Sequence, residues 1–190
     1  GARYRVPIRV LSSLVDGEEG GTLIAGRERR MEEPVLVGVA SERGWAQLVL
    51  RGLPAEMRAM TMTLSRLTEA GVSVDLLTQV DRADGRRLIQ LTVSEDEVAE
   101  ARSTCEAVVG ELGGEAVDVL DGLARLALVG SGMHKRPGVF AQAFETLRRE
   151  GVAVHSVSAS STSIILMVSA GDEARAVRLL HDSFGLGAAA

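Results

Sequence analysis

The chain repeats itself, and that constrains its fold more than any other feature. The stretch AQLVLRGLPAEMRAMTMTLSRLTEAGVSVDLLTQ begins at Ala46, and ARLALVGSGMHKRPGVFAQAFETLRREGVAVHSVSA begins at Ala124. Gly52 answers to Gly130, Leu67 to Leu147 and Gly71 to Gly151. The second copy carries a two-residue insertion in the loop between its glycines, where length changes are tolerated. A chain with this period folds as two versions of one supersecondary unit, and its function has to be sought in what a pair of such units can do.

Each repeat reads in the same order. An apolar run (Gln47–Arg51 or Arg125–Val129) predicts a strand, and a loop and a helical stripe follow. The stripe is Met60, Leu64 and Leu67 in the first copy and Val139, Phe140, Ala143, Phe144 and Leu147 in the second. Gly71 and Gly151 stand where a helix ends in a left-handed residue. A second strand comes next (VSVDLLTQV or VAVHSVSAS), then a third (Arg87–Val93 or Ser163–Ser169). A second helix closes each run, with Val98, Ala101, Cys105, Val108 and Leu112 on one face in the first copy, and Ala174, Val177, Leu180 or His181, and Phe184 in the other.

Each unit is thus βαββα, one strand short of the ferredoxin-like βαββαβ arrangement. Glu115–Asp121 supplies the closing strand of the first unit. Nothing after Phe184 can close the second, whereas PVLVGVA (Pro34–Ala40) stands unused upstream. The expectation is an α+β protein in which the upstream strand completes the second unit, so that the first is inserted within it.

Composition removes several classes of function. The net charge of −5 and the aromatic content of 3% argue against a nucleic-acid binder, which needs clustered Lys and Arg or stacking platforms. No apolar run reaches the length of a membrane span, and no secretory signal pattern is present. The single cysteine, Cys105, fits a reducing cytoplasm and falls on an apolar stripe, where a core role is expected. His134, His155 and His181 lie far apart, so neither a metal nor another cofactor is expected. No Ser/His/Asp set or phosphate-binding loop supports catalysis. The chain opens on Gly1 rather than Met, which predicts a piece of a longer or processed protein.

The loop GSGMHKRPGVFAQAF carries Gly132, Pro137 and Gly138 into a helix N-terminus. There, unpaired N–H groups and a partial positive charge suit a carboxylate. A zwitterion would also need acceptors for its ammonium, and Asp75 and Gln79 stand on the strand after the first helix. By alternation, Ser156, Ser158 and Ser160 form a hydroxyl row on the matching strand. The plain alternatives are a strand–helix connector, a solvated His134–Arg136 run and a polar strand face.

In order and spacing the chain resembles the tandem ACT-domain regulatory region of aspartokinases. ARYRVPIRVLSS with GTLI resembles the last strands of that family's catalytic domain, and GSGMHKRPGVFAQAFETL and RLLHDSFGL resemble its second ACT loop and terminal helix. The resemblance implies a catalytic-domain remnant and linker over 1–30, whose strands would be left partly unpaired. It further implies ACT domain 1 over 44–121 and ACT domain 2 over 34–41 plus 122–186. It implies allosteric feedback inhibition of aspartate phosphorylation by a free amino acid, threonine or lysine. The chain itself would not be an enzyme, since the family's amino-terminal kinase site is missing. A cytoplasmic homodimer attached to an aspartate kinase catalytic domain or alpha subunit follows from the same resemblance. The implied effector contacts are Met133, Pro137, Gly138 and Val139 at the second loop, Ser73, Asp75 and Gln79 in the first unit, and Ser158 and Ser160 in the second.

The chain departs from the family in three places. Where the family reads D-x-P-G, the first loop has Ala55, Glu56, Met57 and Arg58. Ser161 and His155 stand where acidic residues are usual in the second unit. These changes predict either a different effector or one silent site, and they leave a ligand-independent oligomerisation scaffold as the alternative.

Overall fold

The computed structural model describes residues 8–10, 22–24, 36–130 and 138–186. The chain divides into two units, Gly1–Pro34 and Val35–Ala190. In the first, β1 (Ile8–Val10) and β2 (Thr22–Ile24) pair antiparallel, with Ile8 opposite Ile24. The strands expected to be left partly unpaired therefore pair with each other.

The second unit is one curled antiparallel sheet with helices on one side. Its elements in chain order are β3 (Leu36–Pro54), α1 (Met57–Glu69), β4 (Leu76–Asp81), β5 (Arg86–Ser94), α2 (Val98–Glu111), β6 (Ala116–Gly130), α3 (Val139–Arg149), β7 (Val154–Ala159), β8 (Ser163–Ser169) and α4 (Glu173–Ser183). The strand order is β4-β5-β3-β6-β8-β7. The fold is α+β and ferredoxin-like.

Two strands read as separate segments are continuous. Leu36–Ala40 of the upstream run and Gln47–Arg51 both fall within the 19-residue β3. Glu115–Asp121 and Arg125–Val129 fall largely within the 15-residue β6. β3 and β6 pair along nearly their whole lengths, from Leu36 opposite Gly130 to Arg51 opposite Ala116. Midway, the register shifts between Arg43 and Gln47, where Gly44 (φ +85°) and Gly122 (φ +63°) take left-handed backbone. A bulge of this kind bends and twists a strand, and only glycine adopts those angles without strain.

On either side of the bend lies a separate core. Ala46, Leu48, Leu50 and Leu53 of β3 pack with Ile89, Leu91 and Val93 of β5 beneath α1 and α2. Leu36 of β3 packs with Ala124, Leu126 and Leu128 of β6 and with β8 beneath α3 and α4. Each fully buried leucine contributes about 1.5–3 kcal/mol relative to exposure.

The helix stripes are phased differently from the sequence reading. α1 buries Ala59, Thr63 and Leu67, with Met60 and Leu64 only half-buried. Thr63 reaches that position because its hydroxyl donates to the Ala59 carbonyl (2.7 Å), so no polar group is orphaned. α3 buries Val139, Ala143 and Leu147, while Phe140 is exposed. α4 turns Ala176 and Leu180 inward and leaves Ala174 exposed. α2 begins at Val98 after a 3₁₀ turn and packs Ala101, Cys105 and Val109 into its core.

The buried strand residues Gln47, Thr92, Leu123 and Met167 belong to neither helix-covered core. Alternation turns them to the side of the sheet that has no helices. They are buried because the sheet curls, bringing the helix-free faces of its two halves together.

Candidate functional site

α3 opens on Gly138, whose φ of +107° is a conformation that L side chains rarely adopt. Among the described residues no side chain caps this end, and the first intrahelical bond runs from the Gln142 N–H to the Gly138 carbonyl (2.8 Å). The first-turn N–H groups of any α-helix lack intrahelical partners. A Cβ on Gly138 would meet none of the described residues within 4 Å. Val139 is buried in the core, so its side chain is not available to a ligand. Met133 and Pro137 lie outside the described residues, as do Gly132 and His134.

The equivalent end of α1 is built otherwise. Glu56 precedes it without a side-chain cap, and Met57 is exposed. The buried guanidinium of Arg87 donates to the Glu56 carbonyl (2.8 Å) and to Asp81 through Nε (2.6 Å) and Nη2 (3.0 Å). The Arg87 hydrogen bond holds the Asp81 carboxyl below the usual carboxylate range.

Asp75 lies on the bend just before β4 and is already engaged. Arg125 Nη1 donates to both of its carboxylate oxygens (2.8 and 2.7 Å), and Arg125 Nη2 reaches Glu42 (2.6 Å). The guanidinium also sits 4.6 Å from the Trp45 ring centroid, within cation–π range. Burial works against the Arg125 charge, but hydrogen bonds to Asp75 and Glu42 outweigh it and hold its pKa above the usual value. Ser73 donates its backbone N–H to Glu97 (3.1 Å). Gln79 pairs opposite Ile89 of the core, which places it on the helix side of an edge strand.

The serine row divides. Ser156 and Ser158 lie on β7 opposite Met167 and Ile165, and both line a crevice of about 10 Å³ with Leu76, Thr78, Gln90, Thr92 and Val157. Ser160 is not in the strand. Its hydroxyl accepts from the N–H groups of Thr162 (3.2 Å) and Ser163 (3.0 Å), closing the β7–β8 hairpin. The sequence reading extended the alternation one residue too far, past the point where the turn claims the side chain. Gln47 donates from β3 to Ser156 (2.9 Å), joining the two halves across the crevice. His155 is hydrogen-bonded to Ser169 (3.0 Å).

Of the expected residues, the structure thus brings Ser158 to the crevice and Asp75 to Arg125, and leaves Gln79 and Ser160 turned elsewhere. The sequence reading missed Arg125, Trp45, Glu42 and Gln47. One signal was available: Arg125 and Gln47 are the single long polar residues within ARLALVG and AQLVL, where a plain buried strand would carry none.

Comparisons with known proteins bear on what such a chain does. The ACT domain family matches residues 126–184. An aspartate kinase from Pseudomonas putida is 32% identical over 189 residues, covering 99% of this chain and 46% of the relative. The chain therefore spans about half the length of the aspartate kinases it matches. The ligand-free regulatory subunit of aspartate kinase from Thermus thermophilus superposes with a TM-score of 0.71 at 28% identity, over 79% of this chain and 99% of that one. E. coli aspartokinase III, in a T-state complex with lysine and aspartate, gives 0.59 at 26% identity, over 96% of this chain and 40% of that one. The chain thus carries an ACT-domain match over residues 126–184 and is similar, along nearly its whole length, to aspartate kinases, and over most of it to their regulatory subunits.

Proposed function

We propose that the chain is the allosteric regulatory part of an aspartate kinase, in which a free end-product amino acid, threonine or lysine, binds at ACT-domain interfaces and feedback-inhibits aspartate phosphorylation. The observation that carries this reading is its match to nearly all of a Thermus regulatory subunit, at 28% identity and a TM-score of 0.71. Lysine bound to the similar E. coli enzyme supports an amino acid as the effector class. On this reading 44–121 is one ACT domain and 34–41 plus 122–186 the other, and catalysis resides in a catalytic domain or alpha subunit outside this chain.

The chemistry at α3 suits the carboxylate of such a ligand. Donors there are pre-oriented by the helix, and Gly138 lets a ligand approach the backbone. The ammonium requires acceptors, for which Asp75 and the β7 serines are the candidates. Among the described residues, β4 and β7 stand at the sheet edges and expose Leu77, Val80 and Val157, which supports a homodimer that covers an edge. Inhibition requires the ligand to favour one conformation, with a typical coupling of about 1–3 kcal/mol.

Thermal unfolding with millimolar threonine, lysine, methionine or isoleucine tests the proposal. At a ligand concentration about 100 times Kd, stabilisation is about 2.7 kcal/mol. For a chain of this size that corresponds to a rise in Tm of roughly 5–10 °C. No shift with any of them refutes the effector reading. It would favour the scaffold alternative, for which the prior engagement of Asp75 by Arg125 and of Ser160 by its hairpin already speaks.

A further inference from the structure

We infer that Arg125 is a clasp holding the curled sheet closed, and that the ammonium group of an amino acid competes with it for the Asp75 carboxylate. The competition rests on the effector reading above; the clasp does not.

Among the described residues, two polar links cross the helix-free side of the sheet. One joins Asp75, at the head of β4, to Arg125 on β6, and the other joins Gln47 on β3 to Ser156 on β7. In each pair one residue belongs to the half that carries α1 and α2, and the other to the half that carries α3 and α4. Between the halves lies the crevice, whose volume of about 10 Å³ leaves no room for an amino acid. Its walls are nevertheless polar (Thr78, Gln90 and Thr92 facing Ser156 and Ser158), which is not how a permanently closed core interface is lined. The two strands that connect the halves bend at Gly44 and Gly122, where their ladder is already irregular.

Arg125 is anchored independently of Asp75. Glu42 takes its Nη2, and the Trp45 ring lies beneath its guanidinium. It can therefore release Asp75 and keep a favourable environment. Asp75, by contrast, carries the β4 end of the crevice wall through its backbone bond to the Thr92 carbonyl (2.9 Å). A ligand ammonium that takes Asp75 from Arg125 would exchange one cation for another while unfastening β4 from β6. That converts occupancy into a change of angle between the halves.

The test compares the 190-residue chain with its Arg125→Gln and Arg125→Lys variants, each checked for folding by circular dichroism. Without ligand, amide exchange in Leu76–Asp81 and Val154–Ala159 should be roughly five- to tenfold faster in Arg125→Gln and intermediate in Arg125→Lys. Unchanged exchange in both variants overturns the clasp. Calorimetric titration with threonine and lysine addresses the competition. Whichever amino acid binds the native chain should bind Arg125→Gln more tightly, by about five-fold or more, the lower end of typical couplings. Weaker binding would show that Arg125 serves the ligand rather than opposing it, and would overturn the competition. If neither amino acid binds the native chain, the effector reading and the competition fall together, while the exchange result still decides the clasp. If Arg125→Gln does not fold, Arg125→Lys carries both readouts.

Discussion

The two cores should not be equally independent, and the path of the chain says which depends on which. Leu67 and Leu147 are equivalent residues, each 1% exposed, one in each core. Replacing either by Ala should cost about 3 kcal/mol from lost transfer energy and a residual cavity. The core around Leu67 is contiguous in sequence, whereas the core around Leu147 uses Leu36 and neighbours on β3 together with the end of β6. If the Leu67 core unfolds alone, those two strands must stay paired across an open loop of roughly 80 residues, whose closure entropy costs about 4–5 kcal/mol. That is comparable with the whole stability of a small domain, about 5–15 kcal/mol. If the Leu147 core unfolds alone, no loop is left open. Leu67→Ala should therefore bring both cores down together in one calorimetric transition, about 6–12 °C lower. Leu147→Ala should split the transition, with exchange protection lost first in α3 and α4 and retained in α1 and α2. A Leu67→Ala protein whose α3–α4 core outlives its α1–α2 core would refute the argument.

Three further outcomes can be measured directly. Burial, with a smaller contribution from Glu106, pushes the Cys105 thiol up to about 12, so at pH 8 it should react with a thiol reagent only at the rate of unfolding. Hydrogen bonds from Arg148 and then Arg149 lower the exposed Glu145 carboxyl to about 2, from an ordinary value of 4.5. Its folded value lies below its unfolded one, so its contribution to stability is present above the unfolded pKa and lost as pH falls through about 2. Its carboxyl resonance should titrate near 2 in low salt and move upward in high salt. Gly138→Ala meets none of the described residues but imposes a side chain on a φ of +107°, which should cost about 1–3 kcal/mol. If the α3 end holds the effector, the same substitution should also abolish any ligand-induced rise in Tm.

Much of the fold was legible because local chemistry repeats. Gly71 and Gly151 both adopt left-handed angles, at φ +74° and +69°. The next residues, Val72 and Val152, both return their N–H to the carbonyls of Leu67 and Leu147 at 2.9 Å. A helix end of this type needs only glycine at one position and an apolar residue after it, so it can be read from a short window. The phase of α1 could not be read so. Thr63 scores as polar, and only the Ala59 carbonyl one turn back makes its burial acceptable. Ser160 was misplaced for a related reason: a hydroxyl that closes a turn looks in sequence like one more polar residue on a strand.

The candidate site was less legible than the fold. The glycine that opens α3 could be found, because a positive φ selects its residue type. The partner of Asp75 could not, since Arg125 lies 50 residues away and meets it only through the curl of the sheet. The sequence alone determined the number of units, their element order and the spare strand upstream, all of which follow from periodicity and turn chemistry acting over a few residues. Only the tertiary structure decided that four predicted strands are two long ones, that the helix-free faces close on one another, and that an aspartate read as a ligand contact is already held. Those outcomes depend on which apolar faces meet and where two glycines let a strand bend, and such non-local contacts leave no fixed spacing in the chain.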